Sequence, residues 1–383
     1  MAGRLPLGMT LALLLLVHDT SGSFGAAGAV VGAFGLASAA GAPLLGRLVD
    51  RHGQPRVLTT CAAAESALLL ALLAASHAHA PELALVALGA ATGATVPPIA
   101  ACVRVLWPQV VADPAVRETA FSLDATVQEL VWASGPLLVG GAVAVASPSA
   151  AVAGMAVVTL LGTAWFAAAP AARAWAPDRH HDGPRLHPLA APGLRVLLGS
   201  GVAAGLAMGT FEVGMPGLAH DLHAPGATGA LLALGAVGSL CGGLLFGLRA
   251  WRTPVEVRLA ATLTAAAVLM LPLLAVQTTG EALAAAWISG LAWAPTLSCT
   301  YALVGRLAPP GALTEAFTWN GAAVGGGLAA GVALGGTLVD AGGSAAAFSF
   351  GIACALAGAL VVTTRRRALA GAAGRTSPAR AAG

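Results

Sequence analysis

Four carboxylic acids of this chain sit where acids are rare, inside long apolar runs: Glu65, Asp124, Glu129 and Glu212. An acid surrounded by hydrocarbon is costly and is by default a functional group, one that binds a proton, a cation or a polar ligand. Glu212 lies about seven residues, roughly 10 Å, from the outer end of its run. It is the first choice for a protonatable or ligand-contacting carboxylate, the alternative being an ion or hydrogen-bond pair with a neighbouring helix. Asp124 and Gln128 are spaced i,i+4, and Trp132 and Gly135 continue the same stripe. Asp124 is only about a turn from the end of its run, which suits a gate contact better than a ligand contact. Glu129 is deeper and points about 140° away from Asp124 by helix geometry, so it is a second candidate for proton coupling. Glu65 is expected to form a structural pair. Glu118 and Glu315 stand near helix starts, where acids act as capping charges. Trp293 and Trp287, with Tyr301, could stack against an organic molecule.

Other chemistries find little support. No HExxH, GxSxG or paired-carboxylate motif occurs, so no enzyme is expected, and no cofactor. The five cysteines (Cys61, Cys102, Cys241, Cys299, Cys354) are scattered through apolar stretches without a CxxC pair, and read as small buried side chains. The Asp178–Gly183 stretch, DRHHDG, could suggest a metal, but reads better as a solvated linker; no metal and no nucleic-acid partner is expected.

The elements that must position these acids are membrane helices. The 383 residues are 57% hydrophobic and only 9% charged, with a mean hydropathy of +0.83, whereas a soluble domain carries about 25% charge. The solvent is therefore a lipid bilayer, and a bilayer core takes roughly 20 apolar residues per helix. Apolar runs separated by polar or Gly/Pro breaks predict twelve spans: 4–19, 24–47, 55–76, 82–105, 119–145, 149–170, 193–219, 226–248, 255–276, 281–305, 314–338 and 343–364. The polar stretch 171–192 divides them six and six. This gives an N-terminal six-helix bundle over 1–172, a linker over 173–192, a C-terminal bundle over 193–364 and a tail over 365–383.

All nineteen basic residues are Arg, and with an N-in start every one falls in or beside a cytoplasmic reversal or terminus. The opposite loops contain none. The positive-inside rule thus predicts a multi-pass protein with both termini in the cytoplasm. The abundance of Ala, Gly and Arg matches a GC-rich bacterial genome of actinobacterial type.

The halves repeat. Gly25, Gly28, Ser38, Gly41 and Gly46 fall on Gly226, Gly229, Ser239, Gly242 and Gly247. His18-Asp19 falls near His220-Asp221, and Pro97 near Pro295. Ala120-Phe121-Ser122 matches Ala316-Phe317-Thr318, which sets Asp124 opposite Asn320 and Gly135 opposite Gly331. The repeat argues against reading Arg4 and the apolar run behind it as a signal peptide, and predicts a start one or two turns upstream, since span 7 begins near Leu194 while its counterpart would begin before Met1. Parallel six-helix repeats related by an axis along the membrane normal are a transporter signature.

The segment from Gly46 to Leu58, GRLVDRHGQPRVL, resembles motif A of the major facilitator superfamily, G-x-L-x-D-R-x-G-R-x-x-x-L, in the loop between helices 2 and 3. Gly46 and Gly53 permit the tight turn, and Asp50 can face a helix N-terminus, whose dipole favours anions. Gln54 departs from the usual Arg, with Pro55 beside it. The resemblance implies a gate at Gly46, Asp50, Arg51, Gly53 and Arg56, in which Asp50 and Arg51 latch one access state against the start of span 11, near Glu315 to Asn320, with Arg104, Asp124, Asn320 and Glu315 as gate partners; the other reading is that Arg51 and Arg56 anchor topology. In span 5, Gly135-Pro136 followed by Gly140-Gly141 is similar to the antiporter motif GPxxGG, with three residues intervening rather than two; close packing of small residues is the other reading. The RxxQG motif of span 4 is absent.

The resemblance implies an all-α membrane protein in which two pseudo-symmetric six-helix bundles work by alternating access. Proton-coupled efflux of a small organic compound, a drug or metabolite, across the plasma membrane is the leading expectation, with a monomer as the functional unit. Uptake or facilitated transport of a sugar or metabolite is the alternative, and a non-transporting sensor or assembly protein a remote one.

Overall fold

The structure, a computed structural model, describes residues 8–175 and 187–370. All regular elements among them are helical. In a bilayer core no water is available to unpaired N–H and C=O groups, and a helix satisfies them within itself.

The first helices are α1 (Met9–Ser21), α2 (Phe24–His52), α3 (Gln54–His77), α4 (Glu82–Ala94), α5 (Ile99–Val110), α6 (Pro114–Val145), α7 (Pro148–Ala168) and the short α8 (Pro170–Ala174). Then follow α9 (Pro192–Asp221), α10 (Thr228–Gly247), α11 (Val255–Met270), α12 (Thr279–Gly290), α13 (Trp293–Leu307), α14 (Leu313–Thr364) and α15 (Arg366–Ala370). Nine segments of the described residues are long and apolar enough to cross a membrane. One of them, α14, is two arms, because Gly342 and Gly343 leave helical geometry, Gly343 with φ 71°. With that second arm, α1 and α6, the tally is consistent with twelve crossings.

Local sequence explains the boundaries. Ser23 and Ser147 accept hydrogen bonds from the amides of Ala26 (3.2 Å) and Ala150 (3.1 Å), capping α2 and α7. Thr278 and Glu281 form a reciprocal capping box at the start of α12. Pro97 and Pro98, which lack amide donors, break the fourth crossing between α4 and α5. Its counterpart breaks between α12 and α13, just ahead of Pro295. At the α14 break, the Asp221 carboxylate accepts from the amide of Ser344 at 2.9 Å, capping the second arm from the end of α9.

The chain folds as two compact units. The first comprises residues 1–110, 127–184 and 317–322; the second comprises 111–126, 185–316 and 323–383. The first has a core of Leu13, Leu16, Val30, Leu69, Leu72 and Val152 with their neighbours. The second is built round Phe211, Met215, Leu231, Met270, Trp293 and Phe348. Both use the same close helix crossings. In the first, a Cβ on Gly93 would fall on the Phe34 carbonyl, and one on Gly41 would come within 3.0 Å of the Ala94 carbonyl. In the second, a Cβ on Gly242 would fall on the Leu291 carbonyl and one on Gly290 on that of Gly235. Gly41 and Gly242 are a matched pair of the repeat, so its glycines mark where backbones touch, as small residues do in membrane helix pairs.

Candidate functional site

The motif A segment folds as one turn. Helix α2 runs to His52, Gly53 adopts φ 90°, and α3 begins at Gln54. A positive φ of that size disfavours side chains with a Cβ, which accounts for glycine there. Gly46 is buried, Arg51 and Arg56 are exposed, and Asp50 is only 3% exposed. Gln54, standing where the motif has Arg, is buried, and its Nε2 donates to the Cys102 carbonyl at 3.2 Å. A neutral amide here ties the start of α3 to α5.

Arg104 is buried on α5, and its Nη2 donates to Gln128 Oε1 at 3.3 Å. Asp50, Arg104 and Asp124 each take part in further polar interactions, and Asp124 is buried. The expected stripe on α6 therefore engages α5 through Gln128. Glu315, in the first turn of α14, lies 3.4 Å from His187 Nε2, and Asn320 is buried. Residues 317–322 belong to the unit that contains Asp50.

Among the substrate and proton candidates, Glu212 lies in mid-helix on α9 and is exposed. Trp293 does not present an open ring: it is buried in the second core, edge-on to Phe211 with ring centres 6.1 Å apart. The side chains of Glu129, Trp132 and Pro136 lie outside the described residues, as does the DRHHDG stretch. Among the described residues no group of three His, Cys, Asp or Glu side chains gathers as a metal site. In the partial antiporter motif, the Gly135 carbonyl lies where a Cβ on Gly8, just ahead of α1, would approach to 2.7 Å. Gly140 and Gly141 differ, for a Cβ on either would meet nothing within 4 Å. Close packing accounts for Gly8 and does not account for Gly140 and Gly141.

Two expectations need correction. Glu65 is 0% exposed, and among the described residues neither of its carboxylate oxygens has a hydrogen-bond partner, so the expected pair is not found there. Glu118 is not simply a capping charge at the start of α6. Its two oxygens accept from Arg258 of α11 at 2.7 and 2.8 Å, a fork-to-fork ion pair. Thr119 Oγ1 and Ser122 Oγ, on the same turns of α6, donate to the α10 carbonyls of Gly247 (3.2 Å) and Gly243 (2.7 Å). Arg306 lies 3.6 Å from Glu256. Arg258 and Glu118 are 140 positions apart, and no local spacing joins them. The one signal was an arginine a full turn inside an apolar run, where a guanidinium requires a partner.

Among the described residues the arrangement holds charges at the Arg-bearing ends of the helices and an exposed acid, Glu212, within a span. That distribution suits the control of access to a membrane path. The sequence profile of the Major Facilitator Superfamily matches residues 2–202, more than half of the chain. The chain belongs to the major facilitator superfamily. It is a multi-pass membrane transporter and not an enzyme, and it acts on a small-molecule substrate within a lipid bilayer. The fold matches solved transporters over nearly its whole length. The human organic anion transporter MFSD10 (TETRAN) is 17% identical, with a TM-score of 0.71 over 94% of this chain and 97% of that one. A bacterial homologue of the iron transporter ferroportin, in an outward-facing state, is 14% identical, with a TM-score of 0.74 over 97% and 98%. Among curated protein sequences none matches this transporter.

Proposed function

We propose that this transporter exports a small organic compound, a drug or metabolite, in exchange for protons, by alternating access of two six-helix halves in the plasma membrane of a bacterium. The observation that carries the reading is Glu212, an exposed acid inside membrane helix α9, nine residues before its end at Asp221. An acid at that depth is retained for a task, and proton binding is the task open to a lone carboxylate. A proton on Glu212 in one access state and substrate in its place in the other gives exchange, because each then lowers the affinity for the other. Glu129 is the second proton candidate, and Gln128 and Trp132 share its helix.

The gate lies at the Arg-bearing ends. Its residues are Asp50, Arg51, Arg56, Arg104 and Asn320 in the first unit and Asp124 and Glu315 in the second. Asp50, Arg104 and Asn320 are buried within the first unit, and Asp124 and Glu315 within the second. Glu118 and Arg258 add a second ion pair at these ends. The confinement of arginine to one set of loops supports cytoplasmic termini, and a monomer suffices for the mechanism.

The test uses everted membrane vesicles energised with a proton gradient, read with a pH-sensitive dye while organic cations, neutral antibiotics and sugars are added. Compound-dependent collapse of the gradient in wild type, lost in Glu212→Gln, is the expected result. Collapse in both proteins removes Glu212 from the mechanism. No response in either protein refutes proton-coupled export of these classes and directs attention to uptake.

A further inference from the structure

A cavity of about 570 Å³ lies beside the turn between α10 and α11. Its wall includes Phe246, Leu248, Arg249, Trp251, Arg258 and Glu118. Trp251 is a fixed platform. Its indole N–H donates to the Phe246 carbonyl at 2.9 Å, and its ring lies 4.8 Å from that of Phe246. Two guanidinium groups share this platform, Arg249 at 4.7 Å and Arg258 at 6.0 Å from the ring centre. Arg258 is matched by Glu118, although its buried Nε–H has no acceptor among the described residues. Arg249 is exposed, and no carboxylate pairs with it among the described residues. The cavity therefore carries an excess of one positive charge, with donors held in place by an aromatic ring.

We propose that this cavity binds the phosphate of a phospholipid headgroup. A planar guanidinium recognises phosphate oxygens in a forked geometry. The source of the phosphate follows from the approach. Leu244, Leu245 and Leu248 are all exposed and lie on one face of α10 and its C-cap, at spacings of three and four, leading to the cavity. An acyl chain lying along them places its headgroup beside Arg249. Trp251 and the arginine-bearing turn sit at the end of a membrane helix, at the depth of lipid headgroups. An anionic lipid is favoured over a zwitterionic one by the charge excess.

Native mass spectrometry of the full-length transporter in mild detergent tests this, with phosphatidylglycerol and phosphatidylcholine titrated separately. Wild type is expected to retain one phosphatidylglycerol in preference to phosphatidylcholine. Arg249→Ala should weaken that retention about ten-fold, the effect of one charge-assisted contact, and Arg249→Lys should restore part of it. Arg195→Ala, at an exposed arginine on α9 outside the cavity, should leave it unchanged. Equal retention of both lipids, an unaffected Arg249→Ala protein, or equal losses in the Arg249→Ala and Arg195→Ala proteins would overturn the proposal. Displacement of the lipid by equimolar sn-glycerol 3-phosphate would overturn the lipid source and make a soluble phosphate the ligand.

Discussion

Removing Glu118 should destabilise this transporter more than removing its partner Arg258. The pair is asymmetric: the Arg258 side chain is 6% exposed and that of Glu118 36%. Glu118→Ala leaves a buried guanidinium without its counter-ion. Stripping one partner from a buried pair costs about 3–5 kcal/mol, but two features lower the figure here. The Trp251 ring stays 6.0 Å from Arg258, and the neighbouring cavity admits water to the freed donors. A loss of about 2 kcal/mol is expected, in the range of a hydrogen bond to a charged group. Arg258→Leu leaves an acid that water reaches directly, so its loss is about 1 kcal/mol or less, as for exposed pairs. The double variant has no orphaned charge and should resemble Arg258→Leu, giving a coupling of about 2 kcal/mol in the double-mutant cycle.

The measurement is the thermal midpoint of the purified protein in detergent, followed by tryptophan fluorescence. The order of midpoints carries the test, because heating a membrane protein is seldom a reversible two-state process. Glu118→Ala should lie lowest, with Arg258→Leu and the double variant together above it. A Glu118→Ala midpoint equal to wild type, or two single effects that add in the double variant, would refute the assignment of a buried, coupled pair.

Three further outcomes follow from the same geometry. Gly93→Ala and Gly242→Ala each drive a Cβ onto a carbonyl of the facing helix, and should cost about 1–3 kcal/mol by overpacking; Gly140→Ala and Gly141→Ala, with open space at both positions, should shift the midpoint little. Asp221→Ala removes the acceptor for the Ser344 amide and should cost about 1 kcal/mol, while Asp221→Asn, which keeps an acceptor oxygen, should cost less. Glu212→Gln should fold as wild type does and lose compound-dependent proton flux in vesicles, separating a transport role from a structural one.

Much of the frame was legible in the sequence because helix boundaries answer to local rules. The predicted spans 24–47 and 55–76 part around Gly53, and the spans 314–338 and 343–364 part at the Gly342-Gly343 pair, and the structure breaks at both places; the break at Pro97 falls inside the predicted span 82–105. The matched glycines of the repeat were legible as pattern, and their meaning became physical only when Gly41 and Gly242 were found against facing backbone. What escaped depends on which faces meet. Glu118 and Arg258 come together through packing of distant segments. Glu65 looked like half of a pair because a buried acid ordinarily is one. Trp293 looked like a ligand platform, but the Phe211 edge and the surrounding core take its ring. Periodicity fixes where a side chain points from its own helix and is silent about what stands opposite.

The two Arg-bearing turns show how far the internal repeat extends. Gly46 and Gly247 are matched, and both helix pairs that lead to them cross at glycines. Backbone contact tolerates no Cβ at either crossing, so that constraint acts on both halves alike. Four residues past each matched glycine the constraint ends, and the chain carries Asp50 in one half and Trp251 in the other. The first turn closes on a buried acid, with Gln54 tied to the Cys102 carbonyl. The second opens into a cavity where an indole carries two guanidinium groups, one of them bound to Glu118. The two turns share the glycine that leads to each but differ in backbone and in charge, for Gly53 alone joins α2 to α3 while residues 248–254 join α10 to α11. A change in the electrostatics of the Arg-bearing membrane face must act on the two turns unequally, because an acid anchors one and arginine the other.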